Sequence, residues 1–363
     1  MSDVAIPEAH VALPASWYAD EAQAERERRE IFRRTWQLAG LAGDVSDPGS
    51  YLTADIGGVP VVVTRDQDGV LHGLVNVCPH RGMIIAAGTG SAKLLQCPNH
   101  AWSFGLDGRL RAAPRSDMEP RFACEGLDLR PVAVCQWGPF VLANLDAAAS
   151  PPTAELVRMR ESIEQYGLDF DALVPHAAPV DWEIAANWKI VCENYLECYH
   201  CAVVHPGFSQ VFDVRGDRFA LEDRGELLSA FGPVRATRDP QRQQAILDTR
   251  GPVADSHWHL LFPAMTINVY PGAGAVEATW YWPHDAHRTG GRTVVLLAPD
   301  ASPAYAQQVL DLSLQVCEED NVLCEGLHRG LTCGALERPT LMEVNERLVV
   351  RFQELVRGYL SAP

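Results

Sequence analysis

Cys78-Pro79-His80 and Cys97-Pro98-Asn99-His100 place a thiolate and an imidazole in each of two short loops, C-x-H and C-x-x-H, with sixteen residues between them. Two such loops facing each other supply two sulfurs and two nitrogens. Zinc accepts that set tetrahedrally, as a structural ribbon would use it. Zinc loops, however, commonly carry one ligand type each. Alternating Cys and His suits two sulfide-bridged irons, one taking both thiolates and the other both imidazoles. Gly82, and the run Trp102-Ser103-Phe104 before Asp107-Gly108, fit loops that close over such a cluster.

A second set lies further on. Asn187-Trp188-Lys189 leads into Glu193-Asn194-Tyr195-Leu196-Glu197-Cys198-Tyr199-His200, then His205-Pro206-Gly207-Phe208. Read as one helix from Trp188 to Val203, Asn194, Glu197 and His200 share a face. His205 lies five steps on, about 140° away, and Pro206 disfavours helical geometry there. The helix must end or bend, which lets both imidazoles reach one ion. Two His ligands need a carboxylate to form the facial triad of a non-haem Fe(II) oxygenase, with positions open to dioxygen. Glu318-Glu319-Asp320 supplies candidates, with Glu319 and Asp320 neighbouring alternatives. His10, His176, His257 and His259 read as surface or core histidines.

The elements that hold these residues follow from periodicity. A charged run free of Gly and Pro from Trp17 to Trp36 reads as an exposed helix with solvated charges. From Leu38 to Asp146, short apolar runs (Val59 to Val63, Val70 to Val77) alternate with Pro48-Gly49, Asp68-Gly69 and Asp107-Gly108, the pattern of a small antiparallel β domain. Ala147 to Pro152 marks a boundary. Beyond it, Thr153 to Tyr166 reads as a helix; Trp258 to Tyr270, Glu277 to Pro283 and Gly291 to Ala298 read as strands. Ser302 to Gly330 and Thr340 to Leu360 read as long amphipathic helices. Strands followed by helices place the fold in the α+β class.

Composition narrows the function classes. The 363 residues suggest about two domains. Thirty basic against 47 acidic residues give a net charge of −17, the wrong sign for nucleic acid or an anionic membrane. No run approaches the roughly 18 apolar residues of a membrane span, and Met1 to His10 lacks a secretory pattern. A cytoplasmic location is expected, with ten cysteines kept as thiols.

The stretch C-P-H-R-G…C-P-N-H-A-W-S-F-x-x-D-G resembles the Rieske domain of ring-hydroxylating oxygenase alpha subunits. The stretch E-N-x-x-E-x-Y-H-x-x-x-x-H-P, followed by E-D-x-x-x-x-E, resembles their catalytic domain. The resemblance runs from about Trp36 to Tyr359. It implies a helical segment over 1–37 packing on the catalytic domain, a small antiparallel β Rieske domain over 38–150, and a catalytic mononuclear iron domain over 151–363, with an antiparallel sheet flanked by helices. Cys78, His80, Cys97 and His100 would hold a [2Fe–2S] cluster. His200, His205 and Asp320 would hold Fe(II). Glu197, where many relatives carry aspartate, would bind neither metal. It would carry electrons from a neighbouring subunit's cluster, through His100 and His200, in a homotrimer. Dioxygen is the implied co-substrate. NAD(P)H electrons would arrive through a separate flavin/iron–sulfur reductase or ferredoxin, since no G-x-G-x-x-G opens a helix here.

Glu197 with E-C-Y-H-C and H-P-G-F is similar to the branch acting on quaternary ammonium compounds such as betaines, carnitine and stachydrine, by hydroxylation or N-demethylation. Methylated ammonium groups are held against aromatic faces. Tyr199, Phe208, Phe212, Trp258 and Trp280 are the candidates for that contact; Tyr270, Tyr281 and Trp282 lie in the same half. The alternatives are an aromatic or heteroaromatic substrate, hydroxylated or O-demethylated, and a non-enzymatic Rieske electron carrier.

Overall fold

The structure is a computed structural model that describes residues 12–299 and 301–361. These fall into two compact units: Phe32–Thr153, and the residues through Ile31 together with those from Ala154 onward.

The Phe32–Thr153 unit is built on a seven-stranded antiparallel sheet. Its order is Gln37–Leu41, Phe140–Asn144, Pro131–Trp137, Leu71–Val75, Val59–Arg65, Ser50–Ile56 and Thr89–Ser91. Leu52, Val61, Val63, Val132 and Val141 fill its core. A three-stranded sheet, Leu95–Gln96, Ser103–Phe104 and Leu110–Ala112, frames the second Cys/His loop.

The other unit is organised by an eight-stranded antiparallel sheet. Along it run Val174–Pro175, Thr289–Leu297, Ala275–Pro283, Met265–Tyr270, Asp255–Leu261, Leu227–Pro233 and Ala220–Arg224, while Val180–Ile184 pairs with the other half of Thr289–Leu297. Helices Thr153–Glu164, Trp188–Tyr195, Pro303–Thr332 and Arg347–Ser361 accompany it. The architecture is α+β. Expected strand Trp258 to Tyr270 is in fact two, Asp255–Leu261 and Met265–Tyr270. Pro263 sits between them, where it has no N–H to give a ladder.

Two expected helices are corrected. The charged run after Trp17 is not a simple solvated helix. Asp20 caps Glu21–Glu27, a π-turn follows over Arg28–Phe32, and Ala24, Glu27 and Ile31 are buried. Glu27 and Lys189 are both 0% exposed and paired at 2.8 Å. Trp188 Nε1 donates to the same carboxylate at 2.7 Å. The second helix stops at Tyr195 rather than Val203. Glu197 takes the backbone N–H groups of Tyr199 and His200, bonds that compete with helix continuation. Cys198 and Cys201 are joined there by a disulfide, their Cα atoms 4.9 Å apart. The expectation of ten free thiols therefore fails at these two positions.

Candidate metal centres and active-site cavity

The two Cys/His loops are built alike. Cys78 N donates to Met83 O and Gly82 N to Cys78 O; Cys97 N donates to Trp102 O and Ala101 N to Cys97 O. The fifth residue of each loop is left-handed, Gly82 at φ 76° and Ala101 at φ 57°. Glycine adopts that conformation freely; alanine does so at a cost. The repeated turn aims two cysteines inward, both buried with Trp102 and Phe104. Burial, together with a contact to Cys97, pushes the Cys78 thiol up. His80 and His100 stay on the exposed side, with ring centroids 4.7 Å apart. Trp102 stacks on His80 at 4.9 Å. Two adjacent buried sulfurs with two adjacent imidazoles fit a cluster that takes thiolates on one iron and nitrogens on the other.

In the other unit, three ligand atoms converge. His200 Nε2 lies 3.1 Å from His205 Nε2, and Asp320 Oδ1 lies 3.0 Å from His205 Nε2 and 3.6 Å from His200 Nε2. His200 opens the short turn Cys201–Val204 and His205 closes it, with Pro206 next. Asp320 comes from the middle of Pro303–Thr332. Cys201 Sγ also approaches His200 Nε2, at 4.0 Å, but the disulfide leaves it no thiolate. Two imidazole nitrogens and one carboxylate oxygen on one side of a point fit a facial-triad iron.

Each imidazole is held at its other nitrogen. Glu197 Oε1 meets His200 Nδ1, and Glu319 Oε2 lies 2.7 Å from His205 Nδ1. Asn194 Nδ2 donates to Asp320 Oδ1 at 2.8 Å, while its own Oδ1 is buried and unpartnered. Burial works against a charged His205, but Asp320 and Glu319 outweigh it and raise its pKa. The surroundings favour positive charge.

A cavity of about 950 Å³ opens beside these residues. Tyr199, Phe208 and Trp258 line it, with Tyr195, Tyr270 and Tyr281. Phe212 is not on the wall; it is buried behind Phe208 and Trp258, at 4.4 and 5.6 Å. Trp280 is not on the wall either. Glu277, Thr279 and Tyr281 alternate into the cavity along their strand, so Trp280 faces the other side of the sheet. Tyr199 is 62% exposed, at the rim. His176 is exposed at the edge, His257 and His259 are buried in the sheet, and His10 lies outside the described residues.

Glu277 was not anticipated. It is 5% exposed and takes hydrogen bonds from Asn268 Nδ2 at 2.9 Å and Tyr270 OH at 3.2 Å. Tyr195 OH donates to Asn268 Oδ1 at 2.5 Å. Burial pushes the Glu277 pKa up, against the hydrogen bonds from Ser313, Asn268 and Tyr270. Among the described residues no Lys, Arg or His pairs with it. The available signal was a lone acid within the apolar strand Ala275–Pro283. Among the described residues that line the cavity, Glu197, Glu277, Glu318 and Asp320 stand against a single arginine, Arg347.

Comparison with known proteins was consistent across sequence and structure. Residues 170–362 match the model of the ring hydroxylating alpha subunit (catalytic domain), and 35–125 match that of the Rieske [2Fe–2S] domain. The carnitine monooxygenase oxygenase subunit of Escherichia coli is 31% identical over 78% of this chain and 74% of its own. The chloroplastic choline monooxygenase of Beta vulgaris is 28% identical over 90% of this chain and 72% of its own. A quaternary ammonium Rieske monooxygenase, solved with its substrate gamma-butyrobetaine, is 27% identical and superposes with a TM-score of 0.81, covering 98% of this chain and 97% of its own.

Proposed function

The chain belongs to the Rieske-type ring-hydroxylating oxygenase alpha subunits, and from that premise we propose that its substrate is a small methylated quaternary ammonium compound, hydroxylated at a carbon next to nitrogen. It is an oxidoreductase using dioxygen, with a Rieske [2Fe–2S] cluster and a mononuclear iron as cofactors, and it works with a separate reductase. No described helix is long and apolar enough to cross a membrane.

In this reading Cys78, His80, Cys97 and His100 hold the cluster, and His200, His205 and Asp320 hold the iron. When bound, these groups supply one-electron transfer and dioxygen activation. The chain's own residues do the rest. Glu277 is the observation that carries the substrate class: a desolvated carboxylate without a cationic partner, in an aromatic-lined cavity beside the triad. Burial makes its charged form costly until a cation arrives to pair it. A methylated ammonium pairs it without donating a hydrogen bond, its methyls resting on the faces of Tyr195, Tyr270, Tyr281 and Trp258. An aromatic hydrocarbon would leave the carboxylate unpaired, which weighs against the alternative. Carnitine and choline, on which the named relatives act, are the first compounds to try.

Hydroxylation at an N-methyl gives a hemiaminal that collapses to the amine and formaldehyde; at another N-bound carbon it gives the amine and a larger carbonyl compound. Glu197 is proposed as the electron bridge to a neighbour in a homotrimer, a reading supported by its contact with His200 Nδ1 in a turn beside exposed Tyr199. The reductase is proposed to be a flavin/iron–sulfur protein drawing on NAD(P)H, with or without a ferredoxin.

Glu277→Gln keeps the shape and removes the charge. Two unit charges about 6 Å apart, at an effective dielectric of about 20, attract by about 3 kcal/mol. The variant is therefore expected to lose roughly 10- to 100-fold in kcat/KM for the ammonium substrate, with both metals retained. Unchanged kcat/KM would contradict the reading.

A further inference from the structure

His205 is gripped at both ring nitrogens by consecutive residues of one helix. Asp320 Oδ1 lies 3.0 Å from Nε2, and Glu319 Oε2 lies 2.7 Å from Nδ1. The other oxygen of Glu319 is also taken: Gln315, one helical turn earlier, donates from Nε2 to Glu319 Oε1 at 2.8 Å. Gln315 in turn lies against the H-P-G turn. A Cβ at Gly207 would stand 3.0 Å from both Gln315 Nε2 and Oε1. A side chain at 207 would press on the Gln315 amide, which would have to shift by a few tenths of an ångström.

We propose that Glu319, braced by Gln315, is a positioning residue for the mononuclear iron, fixing the tautomer and ring plane of His205. The proposal rests on the ligand set given above and adds to it a residue that touches neither metal nor substrate.

A neutral imidazole carries one N–H and one lone pair, and a metal ligand must present the lone pair. An ionised carboxylate can only accept. With Glu319 at Nδ1, the proton belongs on Nδ1, and Nε2 is left bare toward Asp320 and His200. His205 needs that restraint more than His200 does. Its backbone closes a four-residue turn at φ −112°, ψ 76°, outside any regular element. His200 is oriented by Glu197 within its own turn. The two imidazoles thus depend on different parts of the fold, one on a local turn and the other on a long helix distant in sequence.

The test is a ferrous-iron titration of the protein with its cluster in place, read against a competing chelator. Glu319→Ala is expected to weaken iron binding about 10- to 100-fold, with the visible cluster spectrum and melting temperature unchanged. Glu319→Gln, whose amide oxygen still accepts from Nδ1–H, is expected to recover most of that loss. Gln315→Leu is expected to lose a few-fold. Parent-like affinity in Glu319→Ala overturns the proposal. So does Glu319→Gln as weak as Glu319→Ala, which would put the carboxylate on the metal itself. Asp320→Ala separates the levels: retained iron in that variant sinks the ligand set rather than the positioning role alone.

Discussion

Four carboxylates surround two imidazoles and one cavity, and each has different surroundings. Asp320 points an oxygen at the same place as two Nε2 atoms. Glu197 and Glu319 sit behind the rings. Glu277 is buried in the wall of the cavity. That these thiols and imidazoles converge was legible in the sequence, because C-x-H, C-x-x-H and H-x-x-x-x-H-P are local patterns. Glu277 was not: its partners Asn268, Tyr270 and Ser313 lie 7 to 36 residues away, and the strand pattern alone does not say which face lines a cavity. Phe212 and Trp280 were misassigned to the wall for the same reason. At this scale, His200→Ala, His205→Ala or Asp320→Ala is expected to lose the mononuclear iron and turnover while the visible absorbance of the cluster persists. Iron analysis together with absorbance checks this. Parent iron content in any of the three would contradict the ligand set.

At the scale of elements, the N-terminal helix and the helix Trp188–Tyr195 are tied by one buried carboxylate. Glu27 receives Lys189 Nζ at 2.8 Å on both oxygens and Trp188 Nε1 at 2.7 Å. The sequence showed a charged helix there but could not show which of its charges turn inward. The partner stands 162 residues away. The end of the Trp188 helix was hidden similarly, because Glu197 and the Cys198–Cys201 pair override a run with no Gly or Pro. Breaking a buried pair leaves its partner charge uncompensated and costs about 3–5 kcal/mol. Glu27→Leu is expected to lower unfolding free energy by about that much. Glu27→Leu combined with Lys189→Met is expected to recover much of the loss. Denaturant titration of the three proteins checks this, and a single variant as stable as the parent would contradict it.

At the scale of the molecule, two buried histidines give folding a pH dependence independent of the metal sites. His259 lies between Ser162 Oγ and Ser229 Oγ, each at 2.8 Å, and His257 meets Tyr166 OH at 3.0 Å. Burial holds His257 down at about 4; burial, helped by the charges of His257 and Arg158, holds His259 at about 3. Above pH 6.5 both are neutral, folded or unfolded. Below it only the unfolded chain takes up protons, until the folded values are reached. The stability these two histidines contribute is therefore full above 6.5 and falls as the pH drops toward 4, by about 1.4 kcal/mol per pH unit for each. Unfolding free energies at pH 7 and pH 5 measure the slope, and His259→Gln should flatten it. An equal slope in that variant would contradict the assignment.

The net charge of −17 and the acidic cavity agree in sign, and an acidic surface speeds the approach of cationic ligands. The selection itself is assigned to Glu277 and the aromatic faces around it. The most direct measurement compares a quaternary ammonium compound with its neutral isostere, carbon in place of nitrogen, in reductase-coupled oxygen uptake matched to product formed. Carnitine and choline, each beside its tert-butyl analogue, are suitable pairs. kcat/KM is expected to be higher for the ammonium member by roughly 100-fold, about 2.7 kcal/mol. Equal turnover of the two members, or turnover of aromatic acids alone, would contradict it.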